Sequence, residues 1–236
     1  LYTKPNHVKV IGSTLYFSAA DGQYTDLWKT DGTTTGTVKV KDFVYFNEQS
    51  DFVSQGSKLY FSATTSTGGD YDLWYSSGSS SSTADLTSSL SIDQVGNLVT
   101  LNSKIYFSAY NSNTGRELYV SDGTASGTTM VGDFTSGSDS TIYSWDSKII
   151  STGSEVIFEG LNPSGSSDDH RSLWVSDGTT SGTYSMSTLC TGCNPELSRK
   201  FLLSGSEVYF AAQNIYGEKL LWISDGTANG TMLVDE

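Results

Sequence analysis

The phrase LWVSDGTTSGT at residues 173–183 occurs in five related copies along the chain. Its leading Leu-aromatic pair begins at residues 27, 73, 118, 173 and 221, so successive copies lie 45 to 55 residues apart. A shorter phrase precedes each copy and reads GSTLYF, GSKLYF, NSKIYF, GSEVIF and GSEVYF in chain order. Five paired matches in one order indicate a tandem-repeat protein. We place the repeats at residues 7–43, 52–90, 95–134, 147–189 and 200–236.

Each repeat reads as four short strands. An apolar run such as HVKVI precedes a Gly-Ser turn, and strands of the LYF and LWV type follow, separated by a loop of variable length. Consecutive apolar positions predict strands that are buried on both faces, and small sheets covered on both faces stack on one another. We therefore predict a single all-β domain over residues 1–236, a five-bladed β-propeller with four antiparallel strands per blade. An open β-solenoid or a part of a longer array is the alternative, and the way in which a ring would close stays open.

The repeated phrase resembles the bacterial ELWxxDGT repeat, a family of tandem repeats in secreted or surface-attached proteins. Glu117 and Leu118 in ELYVSDGT come nearest to the full motif. The Glu position is occupied in the other copies by Asp26, Asp72, Ser172 and Leu220. The resemblance extends over essentially the whole chain and implies an extracellular setting with a propeller-like fold. It brings no catalytic residues with it.

The DGT part of the motif is predicted to be a structural turn. Asp-Gly is a strong turn signal, because Gly accepts a positive φ and the Asp carboxylate accepts hydrogen bonds from nearby backbone N–H groups. The second copy reads SSGSSSST and has lost the Asp while it keeps Trp74. A structural turn tolerates the loss of the Asp. A catalytic site would not be expected to occur in four identical copies while a fifth copy lacks its Asp.

The charge balance excludes some partners. The chain has 26 acidic and 13 basic residues, a formal net charge of −13 at pH 7. Nucleic acid would have to bind against this field, so we expect no nucleic-acid partner. No run of apolar residues is long enough to span a membrane, and we expect no membrane insertion.

Two cysteines, Cys190 and Cys193, lie in the segment LCTGCNPEL. Two thiolates do not complete a four-ligand zinc site, and no helical periodicity supports a thioredoxin-type motif. We predict a local disulfide between them, which favours an oxidising compartment.

Ligand-binding residues are expected on one face of the disc. The Gly-Ser and DGTxxGT turns lie together, so the variable loops and the blade-to-blade connections share the opposite face, where binding residues commonly lie. The aromatic candidates are Tyr45, Phe46 and Trp145 in the connections, and Tyr24, Tyr71, Tyr110 and Tyr216 in the loops between second and third strands. Each has either a stacking role or a packing role, and the sequence leaves both open. Asp168 and Asp169, beside His170, form either a calcium site or a solvated loop tip.

We therefore predict a non-enzymatic extracellular or cell-surface module that binds a glycan or a protein through this face. We expect it to require no cofactor. Calcium is the one ion that would suit the acidic loop at Asp168 and Asp169. A structural or adhesive unit of a larger surface assembly is the main alternative. A glycosidase or lyase is disfavoured, because such chemistry needs two carboxylates in a pocket and the predicted first strands contain none.

Overall fold

The structure is a computed structural model that describes residues 5–135, 137–142, 147–161, 171–186, 193–194, 201–214, 216, 218–227 and 229–234. The described residues contain 22 β-strands and no α-helix. The strands form five antiparallel sheets. Three sheets have four strands in chain order, and the other two have four such strands and one additional short strand. We refer to the sheets as blades 1 to 5. The prediction of an all-β, five-bladed β-propeller fold is confirmed.

Blades 1 and 2 comprise the first nine strands. Blade 1 contains β1 (Asn6–Ile11), β2 (Thr14–Ala20), β3 (Thr25–Thr30) and β4 (Val38–Lys41). Blade 2 contains β5 (Tyr45–Phe46), β6 (Val53–Gln55), β7 (Lys58–Thr64), β8 (Asp72–Ser76) and β9 (Thr83–Asp85), with one 3-10 turn at Ser80–Ser82.

The remaining blades have the same order. Blade 3 contains β10 (Asp93–Leu101), β11 (Lys104–Asn111), β12 (Gly115–Ser121) and β13 (Thr128–Met130). Blade 4 contains β14 (Ile149–Ser151), β15 (Val156–Leu161), β16 (Arg171–Ser176) and β17 (Thr183–Ser185). Blade 5 contains β18 (Cys193–Asn194), β19 (Phe201–Ser204), β20 (Glu207–Asn214), β21 (Lys219–Ser224) and β22 (Met232–Leu233).

The two repeated phrases pair with each other inside a blade. The Phe of LYF lies directly opposite the Trp of LW in blades 1, 2, 4 and 5. In blade 4 the rings of Phe158 and Trp174 stack with their centroids 6.0 Å apart. Cross-strand aromatic pairs of this kind are a unit of sheet stabilisation, so the phrases recur together because they form one packed pair.

Two short strands were not predicted. β5 pairs with the end of β7, next to the first strand β6, and β18 pairs in the same way with the end of β20. Tyr45 and Phe46 therefore belong to a strand, although their segment was predicted to be a plain connection. The pairing places Tyr45 opposite Thr64, at the end of blade 2 from which the variable loop leaves.

The chain divides into two compact units. One unit comprises residues 1–112 and 119–129, and the other comprises residues 113–118 and 130–236. One core cluster of the first unit is aromatic and surrounds Phe43, Phe46, Phe61 and Trp74. Full burial of each such side chain contributes roughly 1.5–3 kcal/mol to stability. Among the residues described, no helix has the length and apolar character needed to cross a membrane.

Candidate functional site

The DGTxxGT turn is a closed network of local hydrogen bonds. In blade 1, Asp31 Oδ1 accepts hydrogen bonds from the backbone N–H of Thr33 at 2.9 Å and from its hydroxyl at 2.7 Å. The amide of Gly36 donates to the Thr33 hydroxyl. These hydrogen bonds lower the pKa of Asp31. The same contacts recur at Asp122, Asp177 and Asp225. The carboxylate oxygen is therefore engaged within its own turn.

The glycines of this turn are required by geometry. The first Gly has a positive φ of 90° to 95° in all five blades. The second Gly leaves room for the carboxylate, because a Cβ at Gly36 would overlap the Asp31 side chain. The motif thus encodes a compact turn, and its residues are accounted for by structure.

The acidic residue of the ELW position fastens the third strand to the connection that leads out of the blade. Asp26 Oδ1 accepts a hydrogen bond from the amide of Phe43 at 3.2 Å, and Glu117 Oε1 accepts one from the amide of Thr141 at 2.8 Å. Burial raises the pKa of Glu117 to about 8, and burial raises that of Asp72, at the same position in blade 2, to about 6. We therefore assign this position to the scaffold too.

A cavity in the first unit brings predicted and unpredicted residues together. Its volume is about 230 Å³, and we call it the Tyr45 cavity. The lining residues are Asn6, His7, Ser18, Ala19, Thr25, Tyr45, Phe46 and Glu48. It lies where β1, the first strand of blade 1, begins and where the unpredicted strand β5 ends. An aromatic ring, a carboxylate, an imidazole and a hydroxyl therefore meet in one concave site.

The tyrosines predicted in two loops flank this cavity. The rings of Tyr24 and Tyr45 meet edge to face, with centroids 6.4 Å apart. Tyr71 lies close enough for Glu48 and Tyr45 to raise its pKa, although burial is the larger cause. Tyr45 is 49% exposed, so its ring is available to a ligand. Three of the predicted aromatic residues thus form one group.

His7 supplies a polar wall of the cavity. Its Nδ1 lies 3.0 Å from Ser18 Oγ, which donates a hydrogen bond to the carbonyl of Asn6 at 2.9 Å. The ring stacks on Phe52 with centroids 5.6 Å apart. Its backbone has a φ of 45°, a conformation that L-residues seldom adopt and that commonly marks functional positions. Burial lowers the pKa of His7, which favours the neutral ring.

The sequence left open whether Phe46 stacks on a ligand or packs in the core, and its surroundings are those of a core residue. It is only 4% exposed and lies 5.1 Å from Phe43, 5.5 Å from Phe52 and 5.5 Å from Phe61, measured between ring centroids. Its burial favours the packing role. Phe46 forms part of the cavity wall and belongs to the core.

The other predicted positions do not line the Tyr45 cavity or are not described. Tyr110 is half-buried in β11, opposite Asp93, and Tyr216 is 81% exposed in the loop between β20 and β21. Trp145, Asp168, Asp169 and Cys190 lie outside the described residues, and Cys193 is described only by its backbone in β18. The calcium and disulfide predictions therefore stay predictions. Among the described residues, no group of three or more His, Cys, Asp or Glu side chains is placed to hold a metal ion.

Sequence reasoning missed His7, Glu48 and Asn6. Two of them lie in β1, which reads as an ordinary inner strand, and Glu48 lies in a polar connection. Only the positive φ at His7 and the pairing of β5 with β7 bring them to Tyr45, and neither feature has a sequence signal of its own.

Comparison with known proteins identifies the fold. Neither a protein-family model nor a curated protein matches the sequence. Among solved structures, the chain resembles TolB from Acinetobacter baumannii with a TM-score of 0.51 and 16% identity, over 94% of this chain and 51% of that one. It also resembles the β-propeller domain of the Trilobed protease from Pyrococcus furiosus, with a TM-score of 0.56 and 12% identity. That similarity covers 98% of this chain and 71% of the protease domain's chain.

A third similarity is to puromycin hydrolase, with a TM-score of 0.55 and 13% identity, over 99% of this chain and 39% of the hydrolase. The chain thus spans about half of the TolB chain and about two fifths of the hydrolase. At these identities the similarities establish the β-propeller fold, and enzyme activity is not established by them.

Proposed function

We propose that this chain is a non-enzymatic, extracellular or cell-surface binding module that recognises a glycan at the Tyr45 cavity. The single observation that carries the proposal is the convergence of an exposed tyrosine ring with Glu48, His7 and Asn6 around one cavity. Ligand sites are typically concave, with a few polar groups that fix orientation. A sugar ring offers an apolar face to an aromatic ring and hydroxyls to carboxylate and amide groups.

The size of the cavity suits a short ligand. Drug-sized ligands occupy sites of roughly 300–1,000 Å³, whereas the Tyr45 cavity has about 230 Å³. One sugar ring seated on Tyr45, with Tyr24 at its edge, is the occupant that we propose. The resemblance of the repeat and the predicted Cys190–Cys193 disulfide support the extracellular setting.

The composition of the cavity favours binding over hydrolysis. Among the described residues that line it, Glu48 is the one carboxylate. Glycosidases in general place two carboxyl groups about 5–10 Å apart across the bond they cleave. A single carboxylate beside a neutral imidazole orients hydroxyl groups but does not form such a pair.

The test is a glycan-array screen of the purified chain in calcium and again in chelator, followed by calorimetric titration with the sugar that binds. We expect saturable binding that Tyr45→Ala weakens by about tenfold or more, which corresponds to about 1.4 kcal/mol. Tyr110→Ala is the matched control and should bind like the wild type, since Tyr110 does not line the cavity. An array without binding in both conditions, or full affinity in Tyr45→Ala, would refute the glycan site.

The calcium arm tests the acidic loop independently. Loss of binding in chelator together with loss in a paired Asp168→Asn and Asp169→Asn variant would assign a calcium-dependent role to that loop. Binding that is insensitive to chelator would leave the Tyr45 cavity as the site and remove calcium from the proposal.

A further inference from the structure

Glu48 lines the Tyr45 cavity as an exposed carboxylate, two residues after β5 ends. Among the described residues that line the cavity it is the one charged side chain, because burial favours the neutral ring of His7. No lysine or arginine in the described part of the chain lies within ion-pair distance of Glu48. The cavity therefore contains a negative charge that no side chain compensates.

Two lysines of blade 1 have partners of their own. Lys39 Nζ lies 2.7 to 3.3 Å from one oxygen of each of three carboxylates, those of Asp21, Asp26 and Asp42. Lys41 Nζ lies over the ring of Trp74, 5.7 Å from its centroid. Neither cation pairs with Glu48, so a cationic group of a ligand is the ionic partner that this carboxylate can still take.

A second carboxylate adds to the negative field at the cavity. Burial has the largest effect on the pKa of His7 and lowers it, whereas the charges of Asp51 and Glu48 act in the opposite direction. Both carboxylates therefore lie close enough for their charge to act on the wall of the cavity. Such a field attracts a cationic ligand group and repels an anionic one.

Three tyrosine rings surround the same carboxylate. Tyr24 and Tyr45 meet edge to face, and Tyr71 lies close enough to Glu48 and Tyr45 for their charge to raise its pKa, although burial is the larger cause. These four residues lie between positions 24 and 71, within the first unit. The face of an aromatic ring attracts a cation that lies within about 6 Å of its centroid. Aromatic rings beside a carboxylate are therefore suited to an ammonium group.

We propose that the sugar bound at the Tyr45 cavity carries a free, protonated amino group. Its ammonium group pairs with Glu48 beside the tyrosine rings, while the apolar face of the sugar ring packs on Tyr45. The inference rests on the proposed glycan site and adds the chemical class of the glycan. An N-acetylated sugar has lost the charge of its nitrogen, and an acidic sugar has a charge of the wrong sign.

The experiment is calorimetric titration of the purified chain at pH 6.5 with two oligosaccharides of equal length and linkage. One consists of glucosamine and the other of N-acetylglucosamine, so they differ only in the charge and the acetyl group of the nitrogen. His7 stays mainly neutral at this pH, since its pKa lies below the ordinary 6.5. We expect the glucosamine oligosaccharide to bind at least about tenfold more tightly.

Glu48→Gln tests the source of this preference, because it keeps a side chain of the same size without the charge. The two oligosaccharides should then bind within about twofold of each other. Glu207→Gln is the matched control; it makes the same change of net charge at an exposed residue that does not line the cavity. It should keep the wild-type preference, and circular dichroism establishes that both variants are folded.

Salt gives a second measure of the same interaction. Between exposed groups, attraction between opposite charges weakens as the Debye length falls from about 30 Å at 0.01 M salt to about 3 Å at 1 M. Added sodium chloride should therefore weaken the binding of the glucosamine oligosaccharide more than that of its N-acetylated counterpart. Equal weakening of both would contradict an ion pair with Glu48.

The outcomes separate this inference from the glycan site on which it rests. Equal affinities in the wild type, tighter binding of the N-acetylated form, or a preference that persists in Glu48→Gln would overturn the amino-sugar assignment and leave the glycan site standing. Absence of binding to both oligosaccharides and to the glycan array would refute the glycan site and the assignment together. A simple diamine that binds as tightly as the glucosamine oligosaccharide would show an amine site without sugar recognition, which also overturns both.

Discussion

Glu117 is a buried residue whose charge state affects the stability of this fold. Its side chain is fully buried in β12, the third strand of blade 3, where Oε1 accepts a hydrogen bond from the Thr141 amide. Oε2 has no hydrogen-bond partner among the described residues. Burial of a carboxyl group without full compensation favours its neutral form, which is why its pKa rises to about 8 from an ordinary 4.5.

This residue predicts a pH dependence of stability. Between pH 4.5 and about 8 the folded chain keeps a proton that the unfolded chain has released. The contribution of Glu117 is therefore fully present below pH 4.5 and is lost as pH rises through about 8, on the order of a few kcal/mol. Glu117→Gln keeps the acceptor for Thr141 without this loss. Denaturant unfolding at pH 5 and pH 8 should show a smaller decrease in the variant than in the wild type.

Glu207→Gln is the matched control for this measurement, because Glu207 is exposed at the start of β20. It should retain the wild-type decrease in stability with pH. An equal decrease in Glu117→Gln and the wild type would contradict the assignment of a buried, protonated Glu117.

The turn between the third and fourth strands is the element that the five repeats share. Blade 2 shows which of its residues depend on one another. There, Ser77 replaces the Asp and Ser82 replaces the second Gly of the motif. Ser82 Oγ accepts a hydrogen bond from the Ser79 amide at 3.1 Å. In blade 1 the equivalent amide, that of Thr33, donates its hydrogen bond to Asp31 Oδ1 instead. The two substitutions belong together, because a Cβ at the Gly position and a carboxylate at the Asp position occupy the same space.

A double-mutant cycle tests this coupling. Ser77→Asp alone should destabilise the chain by about 1–3 kcal/mol, since the new carboxylate meets the Ser82 side chain. Ser77→Asp with Ser82→Gly rebuilds the DGT turn and should recover most of that loss, a coupling of about 0.5–3 kcal/mol. Additive effects in urea unfolding would show that the two positions are independent.

At the scale of the whole molecule, the net charge opposes the compact fold. With a net charge of −13, the charges of one folded chain repel one another on balance. Repulsion between distant exposed charges is screened by salt, and the Debye length falls from about 30 Å at 0.01 M to about 3 Å at 1 M. Apolar contact is not weakened in this way.

The free energy of unfolding should therefore rise as salt is added. We expect thermal unfolding at a fixed pH to show a higher midpoint at high sodium chloride than at low sodium chloride. A midpoint that falls with added salt would show that ion pairs stabilise the fold by more than the net repulsion destabilises it.

The sequence by itself determined the repeat architecture of this protein. LYF and LW recur because Phe and Trp pair across strands, and DGTxxGT recurs because its hydrogen bonds close within a few residues. Such interactions are local, so residue type and spacing predict them. Five repeats, four strands per repeat and the structural role of the DGT turn followed from these patterns. Tyr24, Tyr45 and Tyr71 were predicted one by one, without a reason to expect them together.

Only the tertiary structure decided which of these residues share a site and which are buried. Tyr45 joins His7 and Glu48 because β5 adds to the end of β7 and because His7 has a positive φ, and neither feature is encoded by a repeating pattern. Phe46 follows Tyr45 directly, yet strand alternation sends it into the core. Leu173 and Leu221 hold the same motif position, but one is buried and the other exposed. Exposure depends on what packs against a residue, and that is a property of the assembled blades.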